Sequence, residues 1–167
     1  MTLGEEEARR LGAICELYEG ANYALGDQLT KRKRSRLRRS FRLDATSDVF
    51  AYLDTTPIGH WRTGIVIASE GIVMKNPRFV SDGKQSRVDW ETLLNHPEPD
   101  LASRFGMWFG DFQLFLTTSS FPADRLVRLI IDLRDGLFLL RSDAANEEAE
   151  PAETVSLSGY QARIVDY

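Results

Sequence analysis

The chain has 167 residues and a net charge of −4, with 43% hydrophobic, 10% aromatic and 28% charged residues, which fits one globular domain with short appended segments and excludes a disordered or collagen-like chain. Its single cysteine, Cys15, excludes an intramolecular disulfide and a cysteine zinc cluster. No apolar run approaches the roughly 20 residues of a membrane-spanning helix, and the acidic start Glu5-Glu6-Glu7 is unlike a secretory signal, so a cytoplasmic location is expected.

In the first segment Leu3, Ala8, Leu11, Ile14, Cys15, Tyr18, Ala21, Leu25 and Leu29 recur at spacings of three and four, the mark of an amphipathic helix. Each interior glycine costs about 1 kcal/mol relative to alanine, so a break is expected near Gly20 or Gly26, with Asp27 available to cap a second helix. That second helix is basic. Lys31, Arg32, Lys33, Arg34, Arg36, Arg38, Arg39 and Arg42 make eight of the 21 basic residues, and removing these eight from a net charge of −4 leaves −12 for the rest. Leu29, Leu37 and Phe41 lie on one ridge, interrupted by Lys33, so only a narrow strip can dock on a core.

From Asp48 the period changes to that of strands. Val49–Thr56 reads as a strand stopped by Pro57, which has no N–H for a ladder, and a loop through Gly59-His60-Trp61 follows. Thr63–Ala68 and Gly71–Lys75 form a hairpin across Ser69-Glu70, with Gly71 supplying a positive φ. Gln85–Trp90 is the next strand, Glu91–Leu94 a turn of helix, and Asn95–Asp100 a loop. Strands are expected over Ser103–Phe109 and Phe112–Thr118, joined through Gly110-Asp111.

The last helix has clear boundary signals: Ser119 or Ser120 as cap, Phe121 as staple, Pro122 in the first turn, Asp124 near the positive dipole end and Gly136 as its stop. Leu126, Val127, Leu129, Ile130, Ile131 and Leu133 cover a broad apolar arc, opposite Asp124, Arg125, Arg128, Asp132 and Asp135. After it, Ser142–Glu153 holds five acids and no base, the composition of a solvated linker. The terminal Thr154–Tyr167 regains β-formers and could add as an edge strand to this sheet or to another chain. The divisions read as an N-terminal helical arm (1–43), a β domain with its helix (44–141), and an acidic linker with a C-terminal segment (142–167). The fold class is α+β: a curved antiparallel sheet or open barrel closed at one end by the C-terminal helix.

This order resembles a pleckstrin-homology-like domain, an antiparallel meander capped by a C-terminal helix. A local resemblance runs from Arg36 to Asn76. There a basic helix ends in Ser40-Phe41-Arg42-Leu43, Asp54-Thr55-Thr56 ends a strand, and the hairpin Gly64–Lys75 precedes Trp90-Glu91, as in a group of small bacterial pleckstrin-homology-like domains. His60-Trp61-Arg62 stands where that group has small residues. The resemblance implies a binding or scaffolding module that works beside other domains or inside multiprotein systems, and it transfers no catalytic residue.

Motifs that carry chemistry are sparse. His60 and His96 sit in different loops without metal-ligand spacing, and no P-loop, dinucleotide fingerprint or nucleophile-elbow motif occurs. Cys15 reads as a small core residue on a helix face. Asp54 reads as an Asx-type turn that accepts backbone N–H groups. A metal-dependent nuclease would need Asp54, Glu70 and Lys75 to converge on one cation, which the five-residue spacing of the last two across a turn does not favour. No catalytic residue, metal or cofactor is therefore assigned. The basic stretch is the strongest functional signal, because eight like charges in twelve residues repel unless something anionic meets them. The expected function is a non-enzymatic adaptor that engages a protein partner within a larger assembly, the basic helix contacting an anionic surface. Nucleic acid bound through its phosphates and anionic lipid are the alternatives for the same residues, and a hydrated helix neutralised by the chain's own acidic segment is the case without a partner.

Overall fold

The computed structural model describes residues 3–56, 61–81, 83–95, 98–103, 106–116 and 121–149. Expectations for Pro57, Gly59, His60, His96, Ser119, Ser120 and the segment 150–167 lie outside these residues. Helix α1 spans Glu5–Glu16, strand β1 Tyr23–Leu25, helix α2 Lys31–Phe41, β2 Val49–Asp54, β3 Gly64–Ala68 and β4 Gly71–Lys75. A four-residue helix α3 (Arg78–Ser81) leads to β5 (Gln85–Val88), then come α4 (Trp90–Asn95), β6 (Asp100–Ser103), β7 (Gly106–Phe109), β8 (Phe112–Phe115) and α5 (Ala123–Ala149).

Strands β1 to β5 form one antiparallel meander in chain order, and β6 to β8 form a second sheet of three. The fold is α+β, but neither sheet closes into a barrel among the described residues. Helix α4 separates β5 from β6, so the expected single curved sheet is two sheets. Side chains alternate along the larger sheet, and both of its faces are covered. Ala51, Leu53, Ile65, Ile67, Ile72 and Met74 join α1, α4, α5 and the smaller sheet in the main core, while Val49, Tyr52, Val66, Ala68 and Val73 meet Leu29, Leu37 and Phe41 beneath α2. This double cover explains why β3 and β4 read as nearly continuous apolar runs.

The hairpin forms as its sequence suggests. Ala68 pairs with Gly71 across Ser69-Glu70, and Gly71 has φ 133°. A Cβ on Gly71 would lie 2.2 Å from the Val88 carbonyl oxygen, so the turn and the close approach of β5 both require glycine there. Trp90, 1% exposed, begins α4 instead of ending a strand, and its indole N–H donates to the carbonyls of Ala68 and Ser69 at 3.1 Å.

At the N-terminus the helical periodicity overruns the helix. Helix α1 stops at Glu16, and Leu25 lies in β1, which pairs with β2 at Tyr23↔Leu53 and Leu25↔Ala51. Asn22 turns the chain at φ 66°. Residues 3–43 are built into the fold on both faces of the sheet, with α1 against α5 on one side and α2 on the other. Cys15 is fully buried, and burial pushes its thiol up to about 12. In the native chain it is expected to resist a chromogenic thiol reagent that finds one thiol per chain after denaturation.

Helix α5 does not stop at Gly136 but continues to Ala149, so Ser142–Ala149, expected as linker, is helical. The glycine serves packing: a Cβ on it would meet Ile14 Cδ1 of α1 at 2.4 Å. Further along, Arg141 gathers three helices, its Nε donating to Glu7 at 2.8 Å and its Nη1 to Glu91 at 3.0 Å. Burial pushes the Glu7 carboxyl up, but Arg141 and the Gly4 N–H more than offset that and hold it below its ordinary 4.5. A lowered carboxyl stabilises the fold fully above its unfolded value and loses that contribution as pH falls through the folded value. The stability gap between the wild type and Arg141→Met, read by urea denaturation, is expected to be largest near neutral pH and to close in acid.

Candidate anion-binding cleft

Helix α2 is shaped by its two edges. Thr30, not Asp27, caps its N-terminus, its Oγ1 accepting the Lys33 N–H at 3.3 Å, and Arg42 ends it at φ 54° in the left-handed region. The carbonyls left open at the C-terminus are met from the sheet. Lys75 Nζ donates to Ser40 O at 2.7 Å, Gln85 Nε2 to Phe41 O at 3.0 Å and Arg87 Nη2 to Arg42 O at 2.6 Å. Leu37 and Phe41 are fully buried below. The expected narrow apolar strip thus docks the helix, and its angle is fixed at the C-terminal end.

With that strip facing the sheet, Arg32, Arg36 and Arg39 fall at i, i+4 and i+7 on another face. They line an open cleft of about 800 Å³ together with Ser35, Ser40 and Arg42, and the opposite wall is supplied by Arg62, Thr63, Lys75, Asn76 and Arg78. Seven cations and no acid line it. Among the described residues none of the eight cations from Lys31 to Arg42 forms an ion pair, whereas Arg9, Arg87, Arg128, Arg134 and Arg141 all do. Like charges at i, i+4 cost an isolated helix about 0.2–0.5 kcal/mol per pair, so this face is kept at some expense to stability. The field is felt at Lys75, whose ammonium is pushed below its ordinary range by burial and then by Arg42, Arg78 and Arg62.

The basic stretch of the sequence therefore divides. Arg32, Arg36, Arg39 and Arg42 reach the cleft. Arg34 donates to Leu29 O at 3.0 Å, and Arg38 donates twice to Ser47 O, at 3.2 and 2.8 Å, so both tie the helix to its flanking loops. Lys33 lies 4.2 Å over the Trp61 ring, and Lys31 is exposed outside the cleft. Arg62, Lys75 and Arg78 carry no local signal in the sequence, being isolated cations that the sheet and its loops bring opposite α2.

Asp54 organises the far wall. It is 1% exposed, and its Oδ1 accepts the Thr56 N–H at 2.8 Å and the Thr56 hydroxyl at 2.6 Å, while Oδ2 accepts the Trp61 N–H at 2.9 Å. This is the expected Asx-type turn, extended by one further bond. It holds Trp61 at φ 57°, a conformation costly for a bulky residue, with the ring stacked on Tyr52 at 5.1 Å. Arg62 and Thr63 follow directly, and Tyr52 donates its hydroxyl to Thr63 O at 2.6 Å. The nuclease arrangement does not assemble. Glu70 pairs with Arg87 and accepts the Asp44 N–H at 3.1 Å, and Lys75 is turned to Ser40. No group of three His, Cys, Asp or Glu is placed to hold a metal among the described residues.

The acidic segment does not neutralise the cleft where it is described. Ser142–Ala149 belongs to α5, which packs with α1, α4, β6 and β7, whereas α2 packs on β4 across the sheet. No helix among the described residues is long and apolar enough to cross a membrane. The chain matches no family model, no curated protein and no solved structure.

Proposed function

We propose that this chain is a non-enzymatic, pleckstrin-homology-like binding module that engages an anionic partner within a larger assembly through the cleft between α2 and the β3–β4 end of the sheet. One observation carries the reading: seven cations converge on a concave surface with no acid among them and no ion pair from α2. The pleckstrin-homology-like assignment is supported by the antiparallel meander followed by a long C-terminal helix.

Binding is the work these groups are suited to. Guanidinium groups stay charged and offer fixed forks of donors to carboxylate or phosphate oxygens, but they do not exchange protons near neutral pH. The lysine is occupied at the helix terminus. An anion entering the cleft relieves the mutual repulsion of its walls, and that gain is set against the ordering of exposed arginine side chains.

The test is equilibrium binding of the full chain to a fluorescently labelled heparin oligosaccharide at increasing salt. Affinity is expected to fall by about a hundredfold or more between 50 and 200 mM salt, as counterion release requires for a site that neutralises several charges. An affinity independent of salt, or no binding at low salt, would overturn the reading.

A further inference from the structure

Next in the chain to a residue of the cleft is an aromatic residue whose side chain is exposed. Phe79 directly follows the cleft residue Arg78 in α3 and is 77% exposed. Trp61, the other aromatic close by, is already covered, with Tyr52 stacked against its ring and the Lys33 ammonium over it. Of these two rings, Phe79 is the one left exposed.

We infer that the anionic partner is single-stranded nucleic acid, its phosphates lying along Arg32, Arg36 and Arg39 and an unstacked base resting on Phe79. The inference rests on the cleft reading above and names its ligand. The three arginines form a row at intervals of about 5–6 Å along α2, against which the phosphates of one extended strand can be neutralised in succession. The Ser35 and Ser40 hydroxyls flank that row and add donors for phosphate oxygens.

Shape separates this ligand from the other polyanions. A flat bilayer or the convex face of a duplex meets the rim of a concave cleft, whereas a flexible single strand can follow its wall. A carboxylate-rich peptide is served by the cations alone and leaves the exposed ring unused. A cationic groove with an exposed aromatic platform is the combination by which single strands are held without sequence preference, the ring taking the π-face of any base.

The test is fluorescence anisotropy of a labelled oligothymidylate a dozen nucleotides long, titrated with the full chain. Phe79→Ala is expected to weaken binding by about tenfold with the salt slope unchanged and heparin affinity intact, and Phe79→Trp is expected to restore or strengthen it. Phe79 lies on the surface, so neither variant should alter the melting temperature, which is measured alongside. Equal affinity of Phe79→Ala and wild type would overturn the inference, as would tighter binding of phosphatidylglycerol vesicles or polyglutamate at matched charge. If heparin binds and the oligonucleotide does not, the nucleic-acid assignment fails and the anion-binding cleft stands. If neither binds, both fail.

Discussion

Replacing Arg32, Arg36 and Arg39 together by glutamate is expected to lower affinity for a heparin oligosaccharide by about a hundredfold or more at ~0.1 M salt, with the melting temperature within a few degrees of wild type. All three are exposed, and none makes a hydrogen bond or ion pair to the protein among the described residues. Nothing in the fold depends on their charge. Their removal also relieves like-charge repulsion along α2, so stability has reason to hold. The neighbouring Arg38 differs: Arg38→Glu loses two hydrogen bonds to Ser47 O and is expected to cost about 1–3 kcal/mol of stability. A matched control reverses Arg9, Arg10 and Arg128 on α1 and α5, changing the net charge equally away from the cleft. If that control loses heparin as completely, net charge and not the cleft governs binding.

Asp54→Ala is expected to cost about 3–4 kcal/mol, a large part of the 5–15 kcal/mol typical of a domain. The carboxylate is buried and, among the described residues, accepts hydrogen bonds from the Thr56 N–H, the Thr56 hydroxyl and the Trp61 N–H. Alanine removes every acceptor at once, and the Trp61 backbone loses the bond that holds it in the left-handed region. Thermal denaturation is expected to show a fall of about 10 °C. Because Arg62 and Thr63 follow Trp61 into the cleft, heparin affinity should fall as well, even in chains that remain folded. Asp54→Asn keeps one carbonyl acceptor and is expected to fall between the two. Unchanged stability of Asp54→Ala would show that the turn is held by its backbone alone.

How far the sequence could be read depended on whether the signal was local. The β3–β4 hairpin was legible because β-branched runs, a two-residue turn and Gly71 all agree. The strip Leu29, Leu37 and Phe41 gave the docked side of α2, and the boundary residue Asp54 gave its turn. Two tertiary effects were hidden. Gly136 reads locally as a helix stop, yet it lies mid-helix, where a Cβ would press on the Ile14 side chain of α1. Leu25 keeps the helical spacing of α1 by coincidence, whereas pairing with Ala51 decides its conformation.

The cleft was half legible for the same reason. A run of eight cations is visible in any linear reading, but linear density cannot separate Arg38, which holds a loop, from Arg39, which faces solvent one residue later. That division follows from the helix angle set by Lys75, Gln85 and Arg87 at its C-terminus. The opposite wall was invisible, since Arg62 is distant in the chain from Lys75 and Arg78, and they come opposite α2 only when β3 and β4 fold beside it.

The most direct measurement is a residue-level footprint of the bound anion. Backbone amide resonances of the full chain, followed by NMR during titration with a heparin oligosaccharide, are expected to shift in one contiguous set spanning Arg32–Arg42, Arg62–Thr63, Lys75–Asn76 and Arg78, and to stay in place along α1 and α5. Shifts centred on α1 or α5, or spread evenly over the surface, would contradict the assignment of the cleft as the binding site.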